Sequence, residues 1–246
     1  MQNRILSDDL RGNIVILYNV VTIDGPVGVG KSSVAKEVAS RLGYTHIDTG
    51  AMYRAVTLAA MKNKIPFSDQ SALTRTADES RIELIYNKGE LTVLLNGEDV
   101  TTEIRDPEVS RNTSPVADTE GVRKKLVSLQ REMGLKAPSV LEGRDISTVV
   151  FPDAFWKFYL DASVEERVLR RLRQLRNAGK EVEFENIREG ILQRDLRDRS
   201  RDYGPLRAAP DAFIIDTTTL NREEVVNLIL SFVKTAQNYS TFPEKG

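Results

Sequence analysis

The chain has 246 residues, of which 40% are hydrophobic, with 35 basic and 36 acidic side chains and a formal net charge of -1, the proportions of a folded globular unit. Near-neutrality excludes a global attraction to nucleic acid or a membrane surface, so neither is expected as a partner and any anion site has to be local. With no cysteine and a single histidine, His46, thiolate metal sites, disulfides, a cysteine nucleophile and a histidine cluster are excluded as well.

Residues 1–16 read as an N-terminal extension. The apolar stretch 13–21 lacks a small-residue cleavage site and runs straight into a glycine-rich loop, so it is not a signal segment. No stretch approaches the roughly 20 apolar residues that span a bilayer, and a cytoplasmic location is expected. Five short apolar runs, at 19–24, 45–48, 139–142, 156–161 and 213–216, read as buried strands, with helical periodicity filling most of the intervals. Strands alternating with helices imply crossovers and a mostly parallel sheet covered on both faces, so the fold class is α/β.

The first strand leads into GPVGVGKSS, residues 25–33, and a helix follows. Gly25-x4-Gly30-Lys31-Ser32 is a complete P-loop pattern in the strand–loop–helix context that gives it meaning. Backbone N–H groups of such a loop converge on one anion, and the helix N-terminus adds its partial positive charge. Lys31 then reaches the β- and γ-phosphates of ATP, and Ser32 reaches Mg²⁺ directly or through water. Gly25, Gly28, Gly30, Lys31, Ser32 and Ser33 are the ATP-binding candidates.

Open α/β sheets bind ligands beyond the carboxyl ends of their strands, which here are Gly25, Asp48-Thr49, Gly143-Arg144-Asp145 and Asp161. Arg54, one turn into the helix after Thr49, and Arg144 offer forked donors to a second anion. A P-loop ATPase needs no second anion pocket; a kinase with a phosphorylated acceptor does.

Two segments depart from the strand–helix alternation. Ile82, Leu84 and Tyr86, then Leu91, Val93 and Leu95, alternate with polar residues, and Asn87-Lys88-Gly89 and Asn96-Gly97 punctuate them, so a small antiparallel meander is expected there. The NKGE of residues 87–90 approaches the guanine-reading NKxD, but Glu holds the fourth place and the stretch suits a hairpin turn. Residues 165–204 carry ten arginines. In the first helix of that segment Val164, Val168, Leu172 and Leu175 form the packing stripe, so its arginines are expected to point mostly outward. In the second, Phe184, Ile187 and Ile191 continue, at about 100° per residue, as Arg194, Asp198 and Arg201. A stripe that turns from apolar to charged leaves the core and enters a polar cavity. The last helix is marked by an Asn221 cap, Glu224 three residues on, and an apolar face of Val225, Leu228, Ile229 and Phe232. His46 reads as a strand residue with a hydrogen-bonded ring, and Phe155 and Trp156 as packing groups.

The strings TIDGPVGVGKSSVAK, IDTGAMYRA, LEGRDISTVVFPDA, LDASVEERVLRRLRQL and RDLRDRSR resemble, in that order and spacing, those of bacterial cytidylate kinases. The likeness runs from about Val20 to the C-terminal helix, and the meander insertion belongs to that family too. It implies a P-loop nucleoside monophosphate kinase, a three-layer α/β fold with a five-stranded parallel sheet, a small antiparallel insertion and a helical lid. The expected core is 17–53, 137–173 and 206–236, the acceptor-binding subdomain 54–136, the lid 174–205, and the tail 237–246.

The implied reaction is ATP plus CMP or dCMP to ADP plus the diphosphate, with Mg²⁺ accompanying ATP; a monomer is expected. By similarity Arg54, Arg144 and Arg201 grip the acceptor phosphate, with Thr49 and Tyr53 lining that pocket. Arg194 and Asp198 touch the pentose, and Ser114, Arg123 and Asp145 face cytosine. Lys31, Arg144, Arg194 and Arg201 are the catalytic candidates. The chain departs from the family at Val27 and Ser32, where Ser and Gly are common, and at Glu142, where Asp is common; Thr49 keeps the hydroxyl of the more usual Ser. An acceptor phosphate is already ionised at neutral pH, so the reaction asks for alignment and charge neutralisation rather than a general base. A kinase of UMP, AMP or a non-nucleotide acceptor, and a P-loop switch, are the alternatives.

Overall fold

The computed structural model describes residues 17–87, 90–177 and 179–239. The expected extension 1–16, the hairpin tip Lys88-Gly89 and residues 240–246 lie outside the described residues. The main sheet is built from β1 (Leu17–Asp24), β2 (Thr45–Asp48), and three later strands separated from them by an insertion. Helix α1 (Lys31–Leu42) joins the first two strands, and α2 (Thr49–Lys62) and α3 (Gln70–Glu79) lead into the insertion. There β3 (Ile82–Asn87), β4 (Glu90–Leu95) and β5 (Glu98–Asp99) form an antiparallel meander with the expected Asn96-Gly97 turn, both residues at positive φ, as a tight hairpin requires. Helices α4 (Pro107–Asp118) and α5 (Glu120–Lys136) return the chain to β6 (Ser139–Gly143), and a π-helical turn, Ile146–Val150, precedes β7 (Ala154–Asp161). The arginine-rich segment is a hairpin of α6 (Val164–Asn177) and α7 (Phe184–Arg199), after which come β8 (Phe213–Asp216) and α8 (Arg222–Tyr239).

All five main strands are parallel, in the order β2-β6-β1-β7-β8. Apolar side chains cover both faces of the central β1, as its unbroken hydrophobic run demands. Val21 and Ile23 join Val34, Val38, Phe158, Val226 and Ile229 beneath α1 and α8. Val20, one position out of phase, joins Ile47, Val127 and Leu141 on the opposite face. The meander and helices α2 to α5 enclose a separate core around Met52, Leu73, Val93, Ile104 and Leu126.

Three packing expectations need correction. The inner stripe of α8 centres on Ile229 and Val233, so Leu228, about 100° round from Ile229, is 38% exposed, while Val226 and Leu230 take the buried places. Asn221 and Glu224 form the expected reciprocal cap, but the helix runs past residue 236, where the globular unit was expected to end. Trp156 is buried, whereas Phe155, pointing the other way from the strand, is 40% exposed and packs at a tilt against Tyr18, ring centres 4.8 Å apart.

The carboxyl end of β1 sets the geometry of the glycine-rich loop and of the strands beside it. Asp24 is fully buried and accepts from the Ile146 N–H (2.9 Å), the Ser147 N–H (2.8 Å) and the Ser147 hydroxyl (2.5 Å), which ties the segment after β6 to the root of the glycine-rich loop. Burial still outweighs those donors and the Asp24 carboxyl is pushed up to about 6. The next residue, Gly25, passes so close to β7 that a β-carbon there would lie 2.1 Å from the Leu160 carbonyl oxygen. That oxygen belongs to a central strand and cannot give way. Gly25→Ala is therefore expected to cost about 3 kcal/mol of stability, at the upper end for overpacking, measured by denaturant titration; a loss within a few tenths would show that the loop root does adapt.

Candidate active site

The loop after β1 carries Gly28 at φ 84° and Gly30 at φ 94°, and α1 begins at Lys31 with Gly30 as its cap. Its exposed N–H groups are thus directed at the mouth of a cleft. Lys31 is 6% exposed and donates its Nζ proton to the Pro26 carbonyl at 2.6 Å. Burial, aided by the Arg144 charge and opposed by Glu142, Asp198 and Asp24, holds the Lys31 ammonium well below its ordinary range. A cation in that condition gains strongly from an anion brought to it. Ser33 donates to the Gly30 carbonyl at 2.9 Å. Gly25, expected among the ATP contacts, is not part of the cleft lining: it is consumed by the close approach to β7.

Ser32 Oγ donates to Glu142 Oε2 at 2.7 Å, and the other Glu142 oxygen meets His46 Nε2 at 3.2 Å. His46 is the strand residue with a hydrogen-bonded ring that was expected. Among the described residues no group of three or more His, Cys, Asp or Glu converges on one point. The hydroxyl of Ser32 and the carboxylate of Glu142 are instead a hard oxygen pair of the kind that would suit Mg²⁺.

The far end of the cleft is built by two helix ends and a strand end. Asp48 caps α2 by accepting from the Ala51 N–H and holds Arg54 through Nη2 at 3.0 Å, while Thr49 Oγ1 donates to the Glu142 carbonyl at 2.6 Å. Arg144, just past β6, donates through Nε to Asp198 Oδ2 at 2.9 Å. Arg201 donates through Nη2 to Asp198 Oδ1 at 2.6 Å and through Nε to Asp118 Oδ1 at 2.6 Å. Arg201 was expected on the face of the second lid helix, but α7 ends at Arg199 and Arg201 lies beyond its Ser200 cap. The chain's exit still delivers it to Asp198.

Asp198 is 1% exposed. Burial pushes its carboxyl upward, but the charges of Arg144, Arg201 and Arg194 outweigh burial and hold it below the usual range. Arg194 is pulled down to about 10, by burial first and then by the Arg144 charge, with Arg54 and Arg201 acting the same way and Asp198 opposing. Asp198 thus bonds to Arg144 and Arg201 and lies beside Arg194, while Arg54, held by Asp48, adds its charge to the group; an incoming dianion is the natural complement.

Deeper in, Arg123 is 2% exposed, ion-paired through Nη2 to Asp145 Oδ2, and donates through Nη1 to the Ala117 carbonyl at 3.1 Å. Its guanidinium lies 5.5 Å from the Tyr53 ring centre and 5.9 Å from that of Tyr203. Burial pushes the Tyr53 phenol well above its ordinary range. Ser114, buried on α4, lines the same part of the cleft. Tyr53 Oη, Arg54 Nε, Arg123 Nε and Arg194 Nε are buried without a hydrogen-bond partner among the described residues, which is unusual for native interiors. All four atoms belong to residues that line the cleft.

The cleft has a volume of about 1470 Å³ and is lined by every residue proposed from the sequence except Gly25. Sequence reasoning missed two supports of the α6–α7 hairpin. Arg167, expected outside, is buried; it pairs through Nη1 with Asp195 at 2.5 Å and also donates to the Val27 carbonyl at 3.2 Å. Arg170 donates to the Val29 carbonyl at 3.2 Å and to Thr217 Oγ1 at 3.0 Å. Helical periodicity gives no sign of either, because their partners lie on the glycine-rich loop, α7 and the segment after β8. Arg171, Arg173 and Arg176 are exposed, as expected.

No helix among the described residues is long and apolar enough to cross a membrane. The profile of the cytidylate kinase family matches residues 21–235. The chain is 48% identical over 217 residues to the cytidylate kinase of Desulforamulus reducens, covering 88% of this chain and 97% of that one. It is 47% identical over 214 residues to that of Bacillus velezensis, covering 87% and 96% respectively. Among solved structures, a gluconokinase from Sinorhizobium meliloti aligns over 91% of this chain and 97% of its own, with a TM-score of 0.48 and 14% identity. With the profile matching from β1 to α8, and relatives of nearly the same length at almost half identity, the chain belongs to the cytidylate kinase family.

Proposed function

We propose that the protein transfers the γ-phosphoryl group of ATP to the phosphate of CMP or dCMP, forming ADP and the corresponding diphosphate. The observation that carries this reading is the group of Arg144, Arg194 and Arg201 around Asp198, joined by Arg54 on Asp48, at one end of a cleft whose other end is a complete P-loop. A nucleotide switch has no use for the second anion site. Two anions facing each other across one cleft describe a donor and a phosphorylated acceptor.

In this reading the loop N–H groups and Lys31 hold the β- and γ-phosphates of ATP, and Arg54, Arg144 and Arg201 grip the acceptor phosphate. An ionised acceptor oxygen attacks the γ-phosphorus in line, the bond from that phosphorus to the β–γ bridging oxygen breaks, and ADP departs with the electron pair. No proton has to be removed first. Lys31, Arg144, Arg194 and Arg201 neutralise charge on the transferring group in a cleft where their positions are already set. Ser32 and Glu142 would hold Mg²⁺, which when bound supplies further positive charge to the phosphate oxygens. Arg194 and Asp198 face the pentose, and the α6–α7 hairpin, carrying both, acts as the lid that excludes competing water. For the base, the Asp145 carboxylate can only accept a hydrogen bond, which suits the exocyclic amine of cytosine and repels the carbonyl oxygen of uracil.

Purified protein assayed for ADP formation with CMP, dCMP, UMP or AMP, each against a blank without acceptor, tests the reading directly. CMP and dCMP are expected to give the largest rates; ADP release that ignores the acceptor would reject it. Lys31→Ala is expected to fold normally and to lower turnover by about 10² or more, the scale for losing one preorganised charge at a transition state, measured by coupled assay. Arg144→Ala and Arg194→Ala should each lower kcat/KM for CMP while ATP affinity by titration stays within about threefold, half a kcal/mol or so; the opposite pattern would exchange the two pockets. Asp145→Asn should narrow the ratio of kcat/KM for CMP over UMP, mainly by losing CMP activity. Since that substitution leaves buried Arg123 with a neutral partner, its melting temperature is measured alongside.

A further inference from the structure

The residues that follow the lid helix lie on the pair assigned to reading the base. Gly204 is buried at φ 64°, and a β-carbon built on it would sit 2.3 Å from Asp145 Oδ2 and 2.5 Å from Arg123 Nη2. Both distances are far inside contact, so the backbone at 204 rests directly against the two charged atoms of that ion pair. The preceding residue, Tyr203, places its ring over the Arg123 guanidinium on one side while Tyr53 lies on another. The segment is held down at both ends. Arg201 bridges Asp198 to Asp118 at the end of α4, and the Leu206 N–H donates to the Asp198 carbonyl at 2.7 Å.

We propose that Tyr203 and Gly204 roof the base-reading pocket, and that the missing side chain at 204 is a specificity determinant, because it lets the Arg123–Asp145 pair stand where a cytosine can be read. The inference rests on the assignment of that pair to the base.

The physical reason is the tolerance of hydrogen bonds to distance. A charged acceptor and donor that discriminate an amine from a carbonyl must lie within a few tenths of an ångström of their ideal separation, and a displacement of about 1 Å removes the bond. A methyl group at 204 has nowhere to go: it forces either Asp145 and Arg123 out of place or the roof upward. Raising the roof would also pull on Asp198, through the Leu206 N–H and through Arg201, so the position of the lid helix and the state of the base pocket are mechanically joined. Tyr203 acts through its ring rather than its backbone and can be altered without changing the left-handed conformation next to it.

The test compares the parent protein, Gly204→Ala and Tyr203→Leu in kcat and KM for CMP, UMP and ATP, with melting temperatures recorded. Gly204→Ala is expected to raise KM for CMP by about tenfold, the weight of roughly one good hydrogen bond, and to shrink the preference for CMP over UMP, with KM for ATP changed by less than about twofold. Tyr203→Leu, which keeps the backbone unstrained, should raise KM for CMP by about threefold in the same direction. If Gly204→Ala does not fold, Tyr203→Leu alone decides. Unchanged CMP constants in folded variants overturn the proposal, and so does a loss of equal size for CMP and UMP, which would mark the segment as part of the lid's stability only. A parent protein that forms no ADP in response to CMP overturns the assignment of function on which the inference stands, and is recognised before either variant is made.

Discussion

Asp198 holds one guanidinium on each of its oxygens and lies beside a third, and the cleft could not exist as it does without it. Arg54 on α2, Arg144 after β6, and Arg194 and Arg201 at the end of α7 come from three separate places in the chain, and like charges brought together out of water repel strongly. The buried Asp198 carboxylate, with Asp48 on Arg54 and Asp118 on Arg201, makes the arrangement tolerable before any ligand arrives. It does not satisfy the arginines completely, since Arg54 Nε and Arg194 Nε stay without partners among the described residues and Arg194 is pulled down to about 10. That residual imbalance is the electrostatic ground for the phosphate site proposed above. Donors fixed in place in this way are the preorganisation that the proposed binding of a dianion calls for.

The donor end has a parallel construction. Asp24 fastens the turn after β6 to the end of β1, which keeps Arg144 and Asp145 beside the glycine-rich loop. Glu142 lies on the same strand and draws Ser32 toward β6, with His46 on β2 steadying its second oxygen. Each carboxylate joins elements far apart in sequence, and each is buried with more than one hydrogen-bonding group on it. Such groups are costly when single and stabilise only as connected sets. The α6–α7 hairpin is fastened to the loop in the same manner, through Arg167 and Asp195. Removing one partner of a buried pair of this kind costs about 3–5 kcal/mol. The charges of this protein therefore act as its joints wherever the apolar cores stop, and the cores stop at the cleft.

Much of the site was legible before any coordinates. The P-loop could be read because its chemistry depends on the backbone of contiguous residues: spacing along the chain is spacing in space. Arg194 and Asp198 could be read because a helix repeats every 3.6 residues, so the end of an apolar stripe marks where a face leaves the core. Arg201 was expected on that face and reached the same carboxylate by a different route, beyond the helix end. Gly25 was counted with the phosphate-binding glycines; the structure adds that it passes close against β7 and does not line the cleft. Arg167 is an exception to the expectation that the arginines of α6 point mostly outward, because its buried surroundings are made by residues 27 and 195, which no periodicity of α6 can report. Glu142 and Gly204 gave no signal of their contacts for the same reason.

Local order, then, was determined by the sequence itself: which segments are strands and helices, where the last helix is capped, which loop can cradle a phosphate, and which arginines lie near strand ends. These follow from interactions between residues close together in the chain, where bond geometry leaves few arrangements. The tertiary structure alone decided how charges are distributed among partners: that Asp198 serves three arginines, that Asp24 and Glu142 are joints between strands, and that Gly204 lies on the Arg123–Asp145 pair. A side chain at the carboxyl end of a parallel strand can meet any element that the crossovers bring there. Which one it meets depends on the order and register of strands that are neighbours in space and strangers in sequence.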